Sequence, residues 1–323
     1  MSGQRVGRGR WAWVPASVIA MLVAVGVGGA APAVAAKPPM LCNGDASLCD
    51  RTLDRVVLAA THNSMSSAAD GWALPNQPVG IASQLRLGVH GFLIDVHYGH
   101  PNPDGTVATD QTQTAASRVY LCHELCEIGA SPLRAAFKAM RKHLARQPNE
   151  VLVLDVEDYV STADLARELR RSGLAPRVYR GPAGPWPTLR QMIAARQQVV
   201  VLTEHRADGV PWIHLDYAGI VQETPYTWVT PNLLTDPAQW VASCRPNRGG
   251  TTGSLFLLNH WSPPLAPTPA GAAAVNAAEV LVGRAQACAY VRRKVPNLVA
   301  VDWFSAGGLF DAVRRLNVLA GAS

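Results

Sequence analysis

Short apolar, β-branched runs alternate with amphipathic stretches along most of the chain. The runs fall at 56–60, 91–96, 119–121, 151–156, 198–203, 219–222, 254–258 and 298–301. Helical spacing is clearest at 131–147, 162–172, 188–196 and 270–293, and Ser131 followed by Pro132 reads as an N-cap with proline at the first helical position. Strands that alternate with helices predict a parallel sheet. Eight such units predict an α/β fold of one domain over 53–323, a (β/α)8 barrel of the TIM type. No repeat of fixed period interrupts the pattern.

Polar residues then recur in one register. At or just past the C-terminal end of each run stand His62 and Asn63, Asp95 with His97, His123 and Glu124, Glu157 and Asp158, Glu204 and His205, Glu223, Asn259 and His260, and Asp302. Ionisable groups are costly in a buried strand unless they are paired or serve a site. Barrel enzymes build their active sites at that end of the strands. The pattern therefore predicts a mouth rich in carboxylates and histidines, with His97, Glu204, His205, Asn259 and His260 as candidates for the substrate pocket. His143 reads as a solvated helix residue, and His90 and His214 carry no evident role. The Pro-rich stretch 262–269 follows the seventh run and is expected near the mouth.

The first 36 residues differ from the rest. Arg5, Arg8 and Arg10 precede an apolar run from Trp11 to about Ala30, and Ala33-Val34-Ala35 supplies small residues before Lys37. This reads as a secretory signal peptide over 1–36, cleaved near Ala35 or Ala36; an uncleaved membrane anchor is the alternative. The formal charge of +6 falls by three without those arginines. The remaining basic residues are scattered and not interleaved with aromatics, so nucleic acid is not an expected partner. Six cysteines, Cys42, Cys49, Cys122, Cys126, Cys244 and Cys288, suit an exported chain with three disulfides. Proximity suggests Cys42 with Cys49, Cys122 with Cys126, and Cys244 with Cys288, although six cysteines permit 15 pairings. The first pair marks 37–52 as a disulfide-bearing extension. A zinc site at Cys122 and Cys126 lacks a second ligand pair.

Two histidines at different strand ends, His62 and His123, suit a general base and a general acid. Asn63, Asp95 and Glu157 offer oxygen donors from three strands, which fits Ca²⁺ or Mg²⁺ rather than zinc. GxGxxG, P-loop and GxSxG motifs are absent. Metal-assisted phosphodiester cleavage uses all these parts: a base for the attacking hydroxyl, a cation for the phosphoryl oxygens and an acid for the leaving oxygen.

The segments Ala60-Thr61-His62-Asn63-Ser64-Met65, Gln84 through Gly88-Val89 to Ile94-Asp95, Leu121-Cys122-His123 and Val153-Leu154-Asp155-Val156-Glu157-Asp158 resemble the X-box of phosphatidylinositol-specific phospholipases C. Cys244 to Gly249, Leu258-Asn259-His260-Trp261 and 296–304 are similar to its secreted, cysteine-paired branch. The resemblance spans about 53–316. It implies a distorted barrel and a two-step mechanism in which an inositol hydroxyl attacks phosphorus, with diacylglycerol and a cyclic inositol phosphate as products. By position it implies His62 as base, His123 as acid, Asp302 as the carboxylate orienting His62, and Asn63, Asp95 and Glu157 as Ca²⁺ ligands. The family usually has an acidic residue two before Asp95, where this chain has Leu93, so weaker Ca²⁺ binding is expected, with His97 or Asp155 able to compensate. Few lysines are present to grip phosphorylated headgroups. The implied partners are a phospholipid or other phosphodiester and a transient membrane surface, and a secreted monomer is expected.

Three rival readings stand beside this one. Glycerophosphodiester phosphodiesterases and sphingomyelinase-D-like lipases share the barrel, but the former would show His-Arg-Gly where this chain has His62-Asn63-Ser64. A non-catalytic lipid- or carbohydrate-binding barrel would accommodate Leu93. A glycosidase could pair Glu157 with Glu204.

Overall fold

The computed structural model describes residues 39–112, 117–226, 230–262 and 268–322, with residues 3, 9 and 11–13 before them. The chain divides into a short unit, Met1–Pro38, and a body, Pro39–Ser323. Most of the expected signal peptide and most of the 262–269 stretch thus lie outside the described residues. No helix among the described residues is long and apolar enough to cross a membrane.

Among the described residues, the body holds eleven strands in one sheet. They are β1 (Leu58–Thr61), β2 (Gly91–Pro101), β3 (Val107–Thr109), β4 (Arg118–Leu121), β5 (Ser131–Pro132), β6 (Leu152–Asp158), β7 (Val199–Thr203), β8 (His214–Leu215), β9 (Val221–Glu223), β10 (Leu255–His260) and β11 (Leu298–Val301). Eight of them run parallel in the order β8-β7-β6-β2-β1-β11-β10-β9. No ladder joins β8 to β9 among the described residues, so the sheet curls into an open, distorted (β/α)8-type barrel.

One expected barrel strand is not one. The run at 119–121 becomes β4, which pairs antiparallel with an extension of β2, Leu121 opposite Val96. The eighth parallel place goes to β8, whose two residues are too few to carry a periodic signal. The stretch 270–293 is two helices, Pro269–Val275 and Ala278–Arg292. They part where the Asn276 side chain donates to the Asp302 carbonyl, 2.8 Å. Ser131 does not cap a helix; it pairs with Leu121, and Leu133–Arg146 begins after Pro132. His143 is buried, its Nε2 2.6 Å from Glu150.

Strand residues alternate between two faces, and the two faces form separate cores. Phe92, Ile94, Leu154, Val201, Phe256, Leu258 and Val299 pack outward against the helices. Ala60, Val153, Leu202, Val221, Leu257, Leu298 and Ala300 fill the barrel interior, with Leu93 packed against them. Two residues further along the same strands, the inward positions become His62, Asp155, Glu204, Glu223, Asn259 and Asp302. The interior is apolar at the bottom and polar at the mouth because each strand makes that change at the same level.

The structure pairs Cys42 with Cys49, Cys122 with Cys126 and Cys244 with Cys288, with Cα separations of 5.1, 4.8 and 4.9 Å.

Candidate active site

β1 and β11 are neighbours, with Thr61 beside Val301, so His62 and Asp302 leave adjacent strand ends. Nδ1 of His62 lies 2.9 Å from Asp302 Oδ1. A carboxylate there accepts a hydrogen bond from Nδ1–H and leaves Nε2 as the basic nitrogen. Asn76 Nδ2 donates to the same Asp302 oxygen at 3.2 Å. The His62 ring lies flat on Trp261, with centroids 3.9 Å apart and planes 5° off parallel. That contact fixes the ring's orientation.

His123 reaches the mouth by another route. β4 runs back toward the barrel, and Cys122 N–H donates to the Asp95 carbonyl at 3.3 Å. This sets His123 beside the ends of β1 and β2. Asn63 Nδ2 donates to His123 Nε2 at 3.2 Å and to Asn76 Oδ1 at 3.3 Å. Burial, then the charge of nearby His62, hold His123 below the ordinary histidine range. Asn63, Glu124 and Trp303, each next after His62, His123 or Asp302, have φ of 43°, 60° and 47°. A left-handed non-glycine residue costs roughly 1–3 kcal/mol. Here it turns the chain sharply out of the strand and leaves the preceding side chain at the rim.

Below the histidines, the pocket is walled by Asp95, Asp155, Glu157, Glu204, Tyr226, Arg248 and Asn259. Asp95 and Glu157 are register partners on β2 and β6, as are Leu93 and Asp155. Burial, then the charges of Glu157, Glu204 and Glu124, push Asp95 well above the usual carboxylate range. Asp155 shares a hydrogen bond with Asp216, and burial pushes both upward. Glu204 is pushed up to about 8 by burial and then by Asp155.

Arg248 is the cation in this wall. Its Nε donates to Glu223 at 2.7 Å and its other nitrogens reach Glu204 and, at 3.0 Å, the Tyr217 hydroxyl. Tyr217 lies under the guanidinium, 4.1 Å from its carbon. The fork is thus largely occupied by two carboxylates. The next residue must be glycine. Gly249 has φ +70°, and a Cβ there would fall 1.8 Å from the Val221 carbonyl oxygen.

Most of the sequence-derived candidates meet at this mouth. His62, Asn63, Asp95, Glu157, Glu204 and Asn259 line the pocket, and His123 and Asp302 join it through Asn63 and His62. Three stand apart. His97 is buried, stacked on Tyr159 at 4.3 Å, and held down to about 4 by burial. The His205 side chain is 41% exposed, with Nδ1 turned to the Asp158 carbonyl at 3.2 Å. His260 is fully buried on the outer face between the Val275 carbonyl, 3.0 Å, and Arg284, 3.1 Å, and held down to about 3 by burial. His260 is one residue out of phase with inward Asn259. The sequence reading did not select Trp261, Asn76, Arg248, Tyr217 or Asp216. Strand alternation from Leu257 and Asn259 would have found Trp261, whereas the others come from connections without periodicity.

The donor set suits a hard cation. Asp95 and Glu157 lie side by side, and Asn63 uses its amide nitrogen for His123 and Asn76, which leaves Oδ1 as its donor atom. Carboxylates Glu157 and Glu204 also lie with His205 within 4.8 Å of one another, as do Asp155, Glu204 and Asp216.

These carboxyls make stability fall with pH. Glu204 stands near 8 in the folded chain against 4.5 unfolded. Its stabilising protonation is therefore complete below about pH 4.5 and lost as pH rises through 8. In chelator, the unfolding free energy is expected to drop by about 2–4 kcal/mol between pH 5 and 9. Glu204→Gln is expected to flatten that drop. An unchanged pH slope in thermal melts of the variant would exclude Glu204 as its source.

Comparison with known proteins places this geometry in a family. The PI-PLC X 1 profile of the PI-PLC X family matches residues 48–317. PI-PLC X domain-containing protein 1 of Arthroderma benhamiae is 25% identical over 300 residues, covering 87% of this chain and 90% of that one. A second protein of that fungus, known only as an uncharacterized secreted protein, is 24% identical over 304 residues, covering 85% of this chain and 64% of that one. Among solved structures, a pentafluoro-Phe-containing phosphatidylinositol-specific phospholipase C from Staphylococcus aureus superposes with a TM-score of 0.50 at 12% identity, over 78% of this chain and 87% of that one. That likeness concerns the fold alone. The barrel, the matched span and the ordered strand-end residues together make this chain a member of the PI-PLC X family.

Proposed function

We propose that the protein is an exported phosphodiesterase of the phospholipase C type, acting on a phosphoinositide-like glycerophospholipid by acid–base catalysis. The observation that carries this reading is the His62–Asp302 pair at 2.9 Å facing His123 across Asn63. Nε2 of His62 takes the proton from a headgroup hydroxyl as its oxygen bonds to phosphorus. The bond from phosphorus to the diacylglycerol oxygen breaks, and His123 gives that oxygen its proton. His62 and His123 then exchange roles, and water opens the cyclic phosphate. Asp302 and Trp261 hold the imidazolium that forms on His62.

Asn63, Asp95 and Glu157 would hold Ca²⁺, which would offset charge on the non-bridging phosphoryl oxygens. Asp155, beside Leu93, supplies a carboxylate near the position where Leu93 has none. Four carboxylates in the wall favour an uncharged polyol headgroup over one bearing phosphate monoesters. Three disulfides and the charged-then-apolar first 36 residues support export. The test is a panel of phosphatidylinositol, phosphatidylcholine, sphingomyelin and glycerophosphodiesters, assayed with Ca²⁺ and with EDTA. Release of diacylglycerol from phosphatidylinositol alone is expected. Turnover of glycerophosphodiesters alone, or of nothing, would overturn the proposal.

A further inference from the structure

The helix Leu133–Arg146 carries Arg134, Lys138, Arg141, Lys142 and Arg146 and no acidic residue. Its apolar positions Leu133, Phe137, Met140 and Leu144 are buried in the outer core, so the cations occupy the other face at helical spacing. The neighbouring helix Thr162–Ser172 adds Arg167 and Arg171. Between these helices and the start of β4 runs a groove of about 460 Å³, walled by Arg118, Arg134, Lys138, Arg167 and Arg171, with Glu168 as the carboxylate of its described lining. Glu168 takes Arg134 through two bonds of 2.7 and 2.8 Å, and Asp164 pairs with Arg167. Arg118 and Lys138 have no carboxylate partner among the described residues. An excess of positive charge therefore remains in the groove. It shares no lining residue with the catalytic pocket. Basic residues that look scattered in sequence are gathered here by the packing of two helices.

We propose that this groove binds a linear anionic polysaccharide carrying sulfate or phosphate esters. Arginine forks match the paired oxygens of such esters, and a concave groove walled by five cations suits a chain that repeats them. None of the large exposed apolar side chains lines it, so nothing there would enter a bilayer. Tyr120, the one aromatic residue of its described lining, is buried and offers no face for stacking a nucleic-acid base. The inference is independent of the reaction proposed above.

The test uses heparin as probe on the full chain. One triple variant, Arg118→Gln, Lys138→Gln and Arg171→Gln, empties the groove of three exposed charges. A second, Arg55→Gln, Arg86→Gln and Arg245→Gln, removes the same charge from exposed sites elsewhere. At physiological ionic strength the groove variant is expected to bind heparin at least ~10-fold more weakly, and the control within about 2-fold of wild type. Thermal melts confirm that both are folded. Equal losses in the two variants would reduce the effect to net charge and overturn the site. So would wild-type binding to phosphatidylglycerol vesicles or duplex DNA that is tighter than to heparin and depends on the same three residues.

Discussion

His62→Ala and His123→Ala are each expected to lower turnover by about 10²–10⁴, the range that a single general acid or base supplies. Neither should unfold the chain. Both side chains are only partly buried, and neither belongs to a hydrophobic core. Melting temperature and far-ultraviolet circular dichroism should therefore match wild type while diacylglycerol release disappears. The pH profile separates the two roles. His123, the acid, is held below the ordinary value of 6.5 by burial and by His62. An acid works only while protonated, so the alkaline limb of kcat/KM is expected below pH 6.5. Asp302→Asn should lower the rate as well, because the amide cannot stabilise the imidazolium that His62 becomes. Near wild-type turnover in either histidine variant would end the acid–base assignment.

The strand ends were legible because parallel barrels place function where apolar runs stop. The apolar-to-polar change from Ala60 to His62, from Val153 to Asp155 and from Ala300 to Asp302 is written in consecutive inward positions. What misled the reading was phase. His260 stands one residue from inward Asn259, and one residue is enough to turn a side chain to the opposite face. The run at 119–121 looked like its neighbours because local composition does not encode strand direction. Its antiparallel return to β2 comes after the hairpin that β2 makes with β3. Arg248 lay in a loop whose conformation depends on Gly249 and on acidic partners far away in sequence. Its distance from Glu204, 44 residues along the chain, leaves no local trace. The basic groove was hidden for the same reason: Arg118, Lys138 and Arg171 become neighbours only when the two helices and β4 pack.

The largest effect of any added component should come from Ca²⁺. Asp95 and Glu157 stand in register, and burial with three nearby carboxylates raises Asp95 well above its usual range. A divalent cation relieves that repulsion, so it should bind the folded chain and not the unfolded one. At a free concentration of 100 times Kd, such binding stabilises by about 2.7 kcal/mol. Ca²⁺ is thus expected to raise the melting temperature of wild type, and EGTA to abolish turnover. Asp95→Asn should shift half-maximal activation to higher Ca²⁺ and shrink the thermal shift. Asp95→Arg should lose the thermal shift but keep some metal-independent turnover, since a guanidinium can face the same phosphoryl oxygens. The two readouts are separable, because the thermal shift reports the cation site without any substrate. Full activity in excess EGTA, together with a melting temperature indifferent to Ca²⁺, would remove the metal from the mechanism and leave His62, His123 and Asp302 to act alone.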